Sequence, residues 1–323
     1  SLASIAKCQR LPVKAFEKQY KDHLSGFHQW DQLDHAQDWI LYEENIGPHL
    51  SIDEVAISKG ELYTIVTNKA AHGGKGALVA MVAGTQSSDV TAVLTKIEEK
   101  RRATVTEVTL DMSNAMDVIT RSSFPQATIV TDRFHVQQLV SEAVQEIRNT
   151  LRRTALKEET AAILLAKKDK KLYVPTLYPN GDSKKQLLAR SFYLLFKSSS
   201  HWTARQTERA KILFTTFPEL EHAYHLAMLF RAGYERSQTK QAAKLCLEQW
   251  YVKVEEEQID AFTVVAESIR VHEDTILNYF NNRSTNAAAE SFNAKLKGFR
   301  ALLRGVRDIP FFLFRVGKIY GSR

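Results

Sequence analysis

The chain has 323 residues, with 44 Lys and Arg against 37 Asp and Glu, for a formal charge of +7. That length suits one large core with an insertion, or two domains, and the positive balance permits a polyanionic partner without requiring one. Only two cysteines occur, Cys8 and Cys246, far apart and in no CxxC, so neither a disulfide framework nor a zinc finger is supported, and a reducing compartment fits. No apolar run is long enough to span a bilayer, and no charged n-region leads into an apolar h-region.

From Leu11 to about Leu41, Phe16, Tyr20, Leu24, Phe27, Trp30 and Leu33 recur near three- and four-residue spacing, which predicts one or two helices ending at Gly47-Pro48. The period then changes. HLSIDEVAIS, ELYTIVTNK and ALVAMVAGT are short β-rich runs separated by Ser58-Lys59-Gly60 and by AHGGKG, turns short enough for antiparallel hairpins. Ser88 to Arg102 reads as an amphipathic helix on Val90, Val93, Leu94 and Ile97, with Asp89 near its start and basic residues near its end. VTEVTLDM is a further strand, Asn114 to Ser122 a helix, and ATIVTDRFHV a strand running into a long helix.

The order β-β-β-α-β-α-β-α predicts an α/β fold whose mixed five-stranded sheet has helices on both faces, because helical crossovers normally join parallel neighbours. This is the ribonuclease H-like arrangement. From about Thr154 to Thr275 only helical patterns remain, and a stretch of that size is read as an all-helical insertion, since long unstructured connections are uncommon. The expected organisation is a helical segment at 1–47, the first part of the core at 48–153, the insertion at 154–275, and completion of the core at 276–323.

Four acids stand at informative places: Asp53 within the first strand, Asp111 ending the fourth, Asp132 ending the fifth, and Glu290 on a helix after the insertion. Each alone is more ordinarily a turn or cap residue. Glu54 and Asp117 are read that way and given no role. The set is more telling than its members, because strand ends distant in sequence can share one cleft.

HLSIDEVAIS, VTLDMS, TDRFHV and YFNNRSTNAAAESFN resemble, in order and spacing, bacterial insertion-sequence DDE transposases with a DRFH signature, the ISL-type family. The resemblance runs from about Asp34 to the end, and DRFHV followed much later by TN-x-x-x-E-x-x-N is its specific part. It implies a ribonuclease H-like core, often interrupted by helices before the final Glu, and an acidic triad binding two Mg²⁺ (or Mn²⁺). On this likeness Asp53 bridges both ions, Asp111 holds one and Glu290 the other. The second acid is open between Asp111, favoured by topology, and Asp132, which with His135 otherwise forms a D-x-x-H element. His135 is equally readable as a packing residue. Magnesium takes hard oxygen ligands and keeps several waters, so two or three carboxylates suffice, and two ions about 3.5–4 Å apart suit in-line displacement at a phosphodiester.

On a helix Asn286, Glu290, Asn293 and Lys297 share one face. Ala287, Ala288 and Ala289 offer little bulk where a phosphate must approach. Asn286 and Asn293, with Lys295, Lys297, Arg300, Arg304 and Arg307 and with Arg148, Arg152 and Arg153, form a candidate DNA track, or a solvated helix face. Trp202, Trp250, Tyr224 and Phe230 in the insertion are read first as core and second as base-stacking groups. His222 and His225 lack a third metal ligand in view, and no Walker-type loop suggests ATP. The resemblance implies DNA as partner, at insertion-sequence ends and target, a homodimer on paired ends, and a cytoplasmic, nucleoid-associated bacterial protein. End recognition is expected upstream, on a second polypeptide, or in the N-terminal helices. The alternatives are a structure-specific nuclease of the same fold and a catalytically silent domesticated DNA-binding protein.

Overall fold

The computed structural model describes residues 2–58, 60–303 and 305–321. Contacts divide the chain into two units, one of residues 1–132 with 282–323, the other of residues 133–281.

The first unit opens with two short helices, α1 (Leu2–Cys8) and α2 (Val13–Gln19), the second continued by a wide π-helical turn at Tyr20–Leu24, then tight 3-10 turns at Phe27–Gln29 and Leu33–His35. The periodic apolar residues of this stretch therefore sit on broken turns and not on one long helix. Gly26, at φ +75°, is one reason, since that backbone interrupts a right-handed helix. A strand that the sequence reading missed follows, β1 (Trp39–Leu41), pairing antiparallel with β4 (Leu78–Ala83). Before β4 come β2 (His49–Ser58) and β3 (Glu61–Asn68), an antiparallel hairpin in which Asp53 faces Ile65. Gly60 adopts φ +87° in its turn. Helices α3 (Ser87–Leu94) and α4 (Glu99–Arg102) replace the single helix expected there, and β5 (Glu107–Leu110), α5 (Asn114–Ser123) and β6 (Thr128–Thr131) complete the alternation.

The sheet has six strands in the order β1-β4-β3-β2-β5-β6, not five. Without β1 it is the mixed sheet expected, three hairpin-linked antiparallel strands followed by two parallel ones. Alternation along β2 sorts its side chains between two cores. Leu50 and Ile52 pack with Val90, Leu94, Met116 and Ile119 of α3 and α5. Val55 and Ile57 pack on the other face, with Phe292, Leu296, Phe312 and Leu313 from the chain's last two helices.

The second unit is built of helices, with a non-helical connection over 169–183. It begins with α6 (Arg133–Lys168), 36 residues and so about 54 Å long. It continues through α7 (Lys184–Arg190), α8 (Phe192–Leu195), α9 (Ala204–Thr216), α10 (Pro218–Arg236), α11 (Lys240–Glu257), α12 (Asp260–Val271) and α13 (Glu273–Leu277). Ser183 and Thr203 start α7 and α9 with capping boxes, which satisfy the free amides of a first turn. Trp250, Tyr224 and Phe230 are core residues, and the Trp250 indole donates to the Leu226 carbonyl at 2.9 Å. Half-buried Trp202 donates likewise to the Leu194 carbonyl, also at 2.9 Å. After α14 (Tyr279–Asn282), the chain rejoins the first unit through α15 (Ala287–Leu302) and α16 (Ile309–Val316).

Candidate active site at the carboxyl ends of three strands

The parallel ladders decide which acids are neighbours. Ser51 pairs with Thr109 between β2 and β5, and Leu110 with Thr131 between β5 and β6. Carried on by two residues and by one, these registers set Asp53 beside Asp111 and Asp111 beside Asp132. All three follow the alternation onto the face that α15 covers. At about 4.8 Å between strands the row spans roughly 10 Å.

α15 lies across this row and is fastened to Asp53 at one end of the row and to Asp132 at the other. The Asn293 side-chain amide donates to Asp53 Oδ2 at 2.6 Å. The Asn286 backbone N–H donates to Asp132 Oδ1 at 3.3 Å. Seven residues of helix rise about 10.5 Å, close to the width of the row, so the two anchors fit without distortion. Glu290 is exposed and shares their helical face. It stands about 6 Å along the axis from Asn286, level with the middle of the row.

Each acid has its own surroundings. Asp53 Oδ1 accepts from the Glu54 N–H at 2.7 Å. Asp111 is half-buried where β5 turns into α5, and its carbonyl accepts from the Ser113 N–H at 2.8 Å. Asp132 is buried; its N–H donates to the Leu110 carbonyl at 2.8 Å. Three oxygens here, Asp132 Oδ2, Asn286 Oδ1 and Asn293 Oδ1, are buried and have no hydrogen-bond partner among the described residues, an unusual concentration of lone pairs. Among the described residues no three acidic, histidine or cysteine side chains close on a single point. The donor set is nevertheless all hard oxygen, the kind that suits Mg²⁺ or Mn²⁺.

A fifth carboxylate belongs to the neighbourhood. Burial, then the charge of Asp111, then that of Asp53, hold the Glu54 carboxyl above its ordinary range. Glu54 lies within β2 and not at a turn or cap, the reading that had left it without a role. The loop before β4 was missed too. Gly73, at φ +66°, lies so close to α15 that a Cβ there would meet the Phe292 nitrogen at 3.0 Å and the Ala288 carbonyl oxygen at 3.2 Å. Ala289 is buried. Part of the small-residue run thus serves packing within the protein.

The basic residues divide. Lys297 and Arg307 are exposed, as is Arg152 in the helical unit. Lys295 is exposed but donates to the Gly73 carbonyl at 2.7 Å, and half-buried Arg300 donates to the Ala56 carbonyl at 2.9 Å. Arg304 lies outside the described residues. Arg148 is buried, bonded to Gln145, Asn149 and the Leu188 carbonyl, with its guanidinium over the Phe192 ring. Asn286 and Asn293 are buried as well and act as internal braces. His135 is half-buried, with its ring edge-on to exposed Phe134. His222 is exposed and paired with Glu257 at 2.6 Å.

Among the described residues, no helix is long and apolar enough to cross a membrane. No curated protein matches the chain. A family model described as transposase matches residues 50–316, more than four-fifths of the sequence and every acid of the row. A match of that extent, over a sheet whose strand ends gather those acids beneath the Glu290 helix, establishes that the chain belongs to the ISL3-type DDE transposase family.

Proposed function

We propose that the chain nicks DNA at insertion-sequence ends and joins the freed 3′-hydroxyl to target DNA, with Asp53, Asp111 and Glu290 holding two divalent cations, Mg²⁺ or Mn²⁺. The observation that carries this reading is the row of strand-end carboxylates crossed by the Glu290 helix, braced through Asn286 and Asn293. When bound, such cations supply positive charge to the attacking and leaving oxygens of a phosphodiester. The chain's own part is to orient oxygens. Asn293 fixes the rotation of the Asp53 carboxylate, and the Asn286 amide fixes Asp132.

Asp111 is the favoured second acid because the ladder sets it between Asp53 and Asp132, opposite Glu290. Asp132, whose buried Oδ2 has no hydrogen-bond partner among the described residues, is the competing choice, with His135 as an auxiliary group. The DNA backbone would follow Lys297 and Arg307, with Lys295 and Arg300 beside them. A reaction on paired ends calls for two copies of the chain. End recognition would lie upstream, on a second polypeptide, or in the N-terminal helices.

The test is an assay on linear DNA carrying insertion-sequence ends, with Mg²⁺. The wild type should nick at the ends and transfer pre-cut 3′-hydroxyl ends to a plasmid, and Glu290→Gln should abolish both without altering the melting temperature. Nicking without transfer would make the protein a nuclease. Undiminished nicking in Glu290→Gln would remove Glu290 from the site.

A further inference from the structure

A second polar network lies on the same face of the sheet, nearer the amino end of β5. Glu107 opens β5 and, by alternation, points to the side that Thr109 and Asp111 occupy. It is buried. Lys69, in the turn after β3, donates to Glu107 Oε1 at 3.2 Å, to Thr109 Oγ1 at 2.8 Å and to Ser284 Oγ. An ammonium has three protons, and all three are directed. Glu107 in turn accepts from the Ser284 hydroxyl on Oε1 and from Asn282 Nδ2 on Oε2 at 2.5 Å. The Ser284 N–H bonds Asn282 Oδ1 at 3.0 Å, closing a small turn. The Lys69 end is rigid: Asn68 caps its turn through the Ala70 N–H at 2.9 Å and donates to the Asn45 carbonyl at 2.8 Å.

The position in the chain gives this network its meaning. The polypeptide leaves the first unit after Asp132 and comes back at Asn282, about 150 residues later. Asn282 and Ser284 are the first residues to return, and two residues after Ser284 the Asn286 N–H meets Asp132. Glu290 is one helical turn further on. We propose that Lys69 and Glu107 are positioning residues: they latch the returning Asn282–Ser284 segment to β5 and so set where α15 begins and where Glu290 is presented. The proposal rests on the reading of Glu290 as a site acid. A buried ion pair is weak support for stability as such, since apolar residues of the same volume often do as well. What it supplies here is direction, four side chains that satisfy one another in one arrangement.

Amide hydrogen exchange on the full chain tests the latch without reference to activity. Ser284→Ala, which removes the hydroxyl but no charge, and Lys69→Met should each speed exchange at the amides of Ala289–Phe292 by about tenfold. Exchange in the β2–β3 hairpin should stay as in the wild type, and Ser284→Thr, which keeps the hydroxyl, should restore slow exchange. In single-turnover nicking, Ser284→Ala should lose about tenfold in rate while its affinity for end DNA stays within about twofold. Unchanged exchange in α15, or acceleration spread evenly over residues 2–132, would overturn the latch. Lack of nicking by the wild type would instead defeat the proposed function, and the exchange result would still decide the latch.

Discussion

Replacing Asn293 by Ala probes the brace between α15 and the sheet most sharply. Asn293 is 7% exposed, and its amide donates to Asp53 Oδ2 at 2.6 Å. A hydrogen bond to a charged group contributes about 1.5–3 kcal/mol. If that energy serves to hold the Asp53 carboxylate at the angle the reaction needs, its loss corresponds to roughly 10- to 100-fold in rate, the range also typical of groups that orient metal ligands. The assay is single-turnover nicking across a Mn²⁺ titration, with thermal unfolding in parallel. Asn293→Ala should nick roughly 10- to 100-fold more slowly and need more Mn²⁺ for half-maximal rate. Asn286→Ala is the contrast, because its bond to Asp132 comes from the backbone and survives the substitution. An Asn293→Ala protein that nicks at the wild-type rate, with the same Mn²⁺ dependence, would refute the reasoning.

Gly73→Ala combines a left-handed backbone with a contact 3.0 Å from the Phe292 nitrogen; it should cost about 1–3 kcal/mol in chemical denaturation and slow nicking, and unchanged stability would show that the loop does not bear on α15. Gly317→Ala occurs in a helical segment where Ala is ordinarily the better residue, yet its Cβ would collide with the Tyr42 hydroxyl; the melting temperature should fall, and a rise would mean that Tyr42 moves aside freely. Asp182 in the helical unit gives a pH signature. Burial by itself would raise its pKa, but Arg209 and Arg190 outweigh it and hold the carboxyl below its ordinary range. Its contribution is therefore complete above the unfolded value of about 3.9 and lost as pH falls through the lower folded value. The difference in melting temperature between wild type and Asp182→Asn should be constant from pH 7 to about 5 and shrink below about 4; a constant difference into strong acid would contradict the assignment.

Much of the architecture was legible because it follows from short-range patterns. Hairpin turns, the alternation of HLSIDEVAIS and the helical crossovers led to the mixed sheet, and acids at strand ends led to the row. What escaped depends on contacts across long sequence separations. β1 is only three residues long and gains its identity from pairing with β4, so helical spacing around it was the stronger local signal. Glu54 was set aside as an ordinary turn or cap residue, whereas the influence of Asp111 on it is a property of how the strand ends meet. A run of basic residues can be read as a track, but nothing local reveals that Lys295 and Arg300 also serve the Gly73 and Ala56 carbonyls, or that Arg148 is enclosed. Lys69 and Glu107 carry no motif at all. Their relation to Ser284 exists only once the chain has returned from the helical unit.

The most direct measurement is anomalous diffraction at the manganese edge from crystals soaked in Mn²⁺. Manganese should lie within about 2.2 Å of carboxylate oxygens of both Asp53 and Glu290, with either Asp111 or Asp132 completing the set and thereby naming the second acid. Manganese bound elsewhere, with the Glu290 carboxylate directed away from Asp53 in every copy, would contradict this.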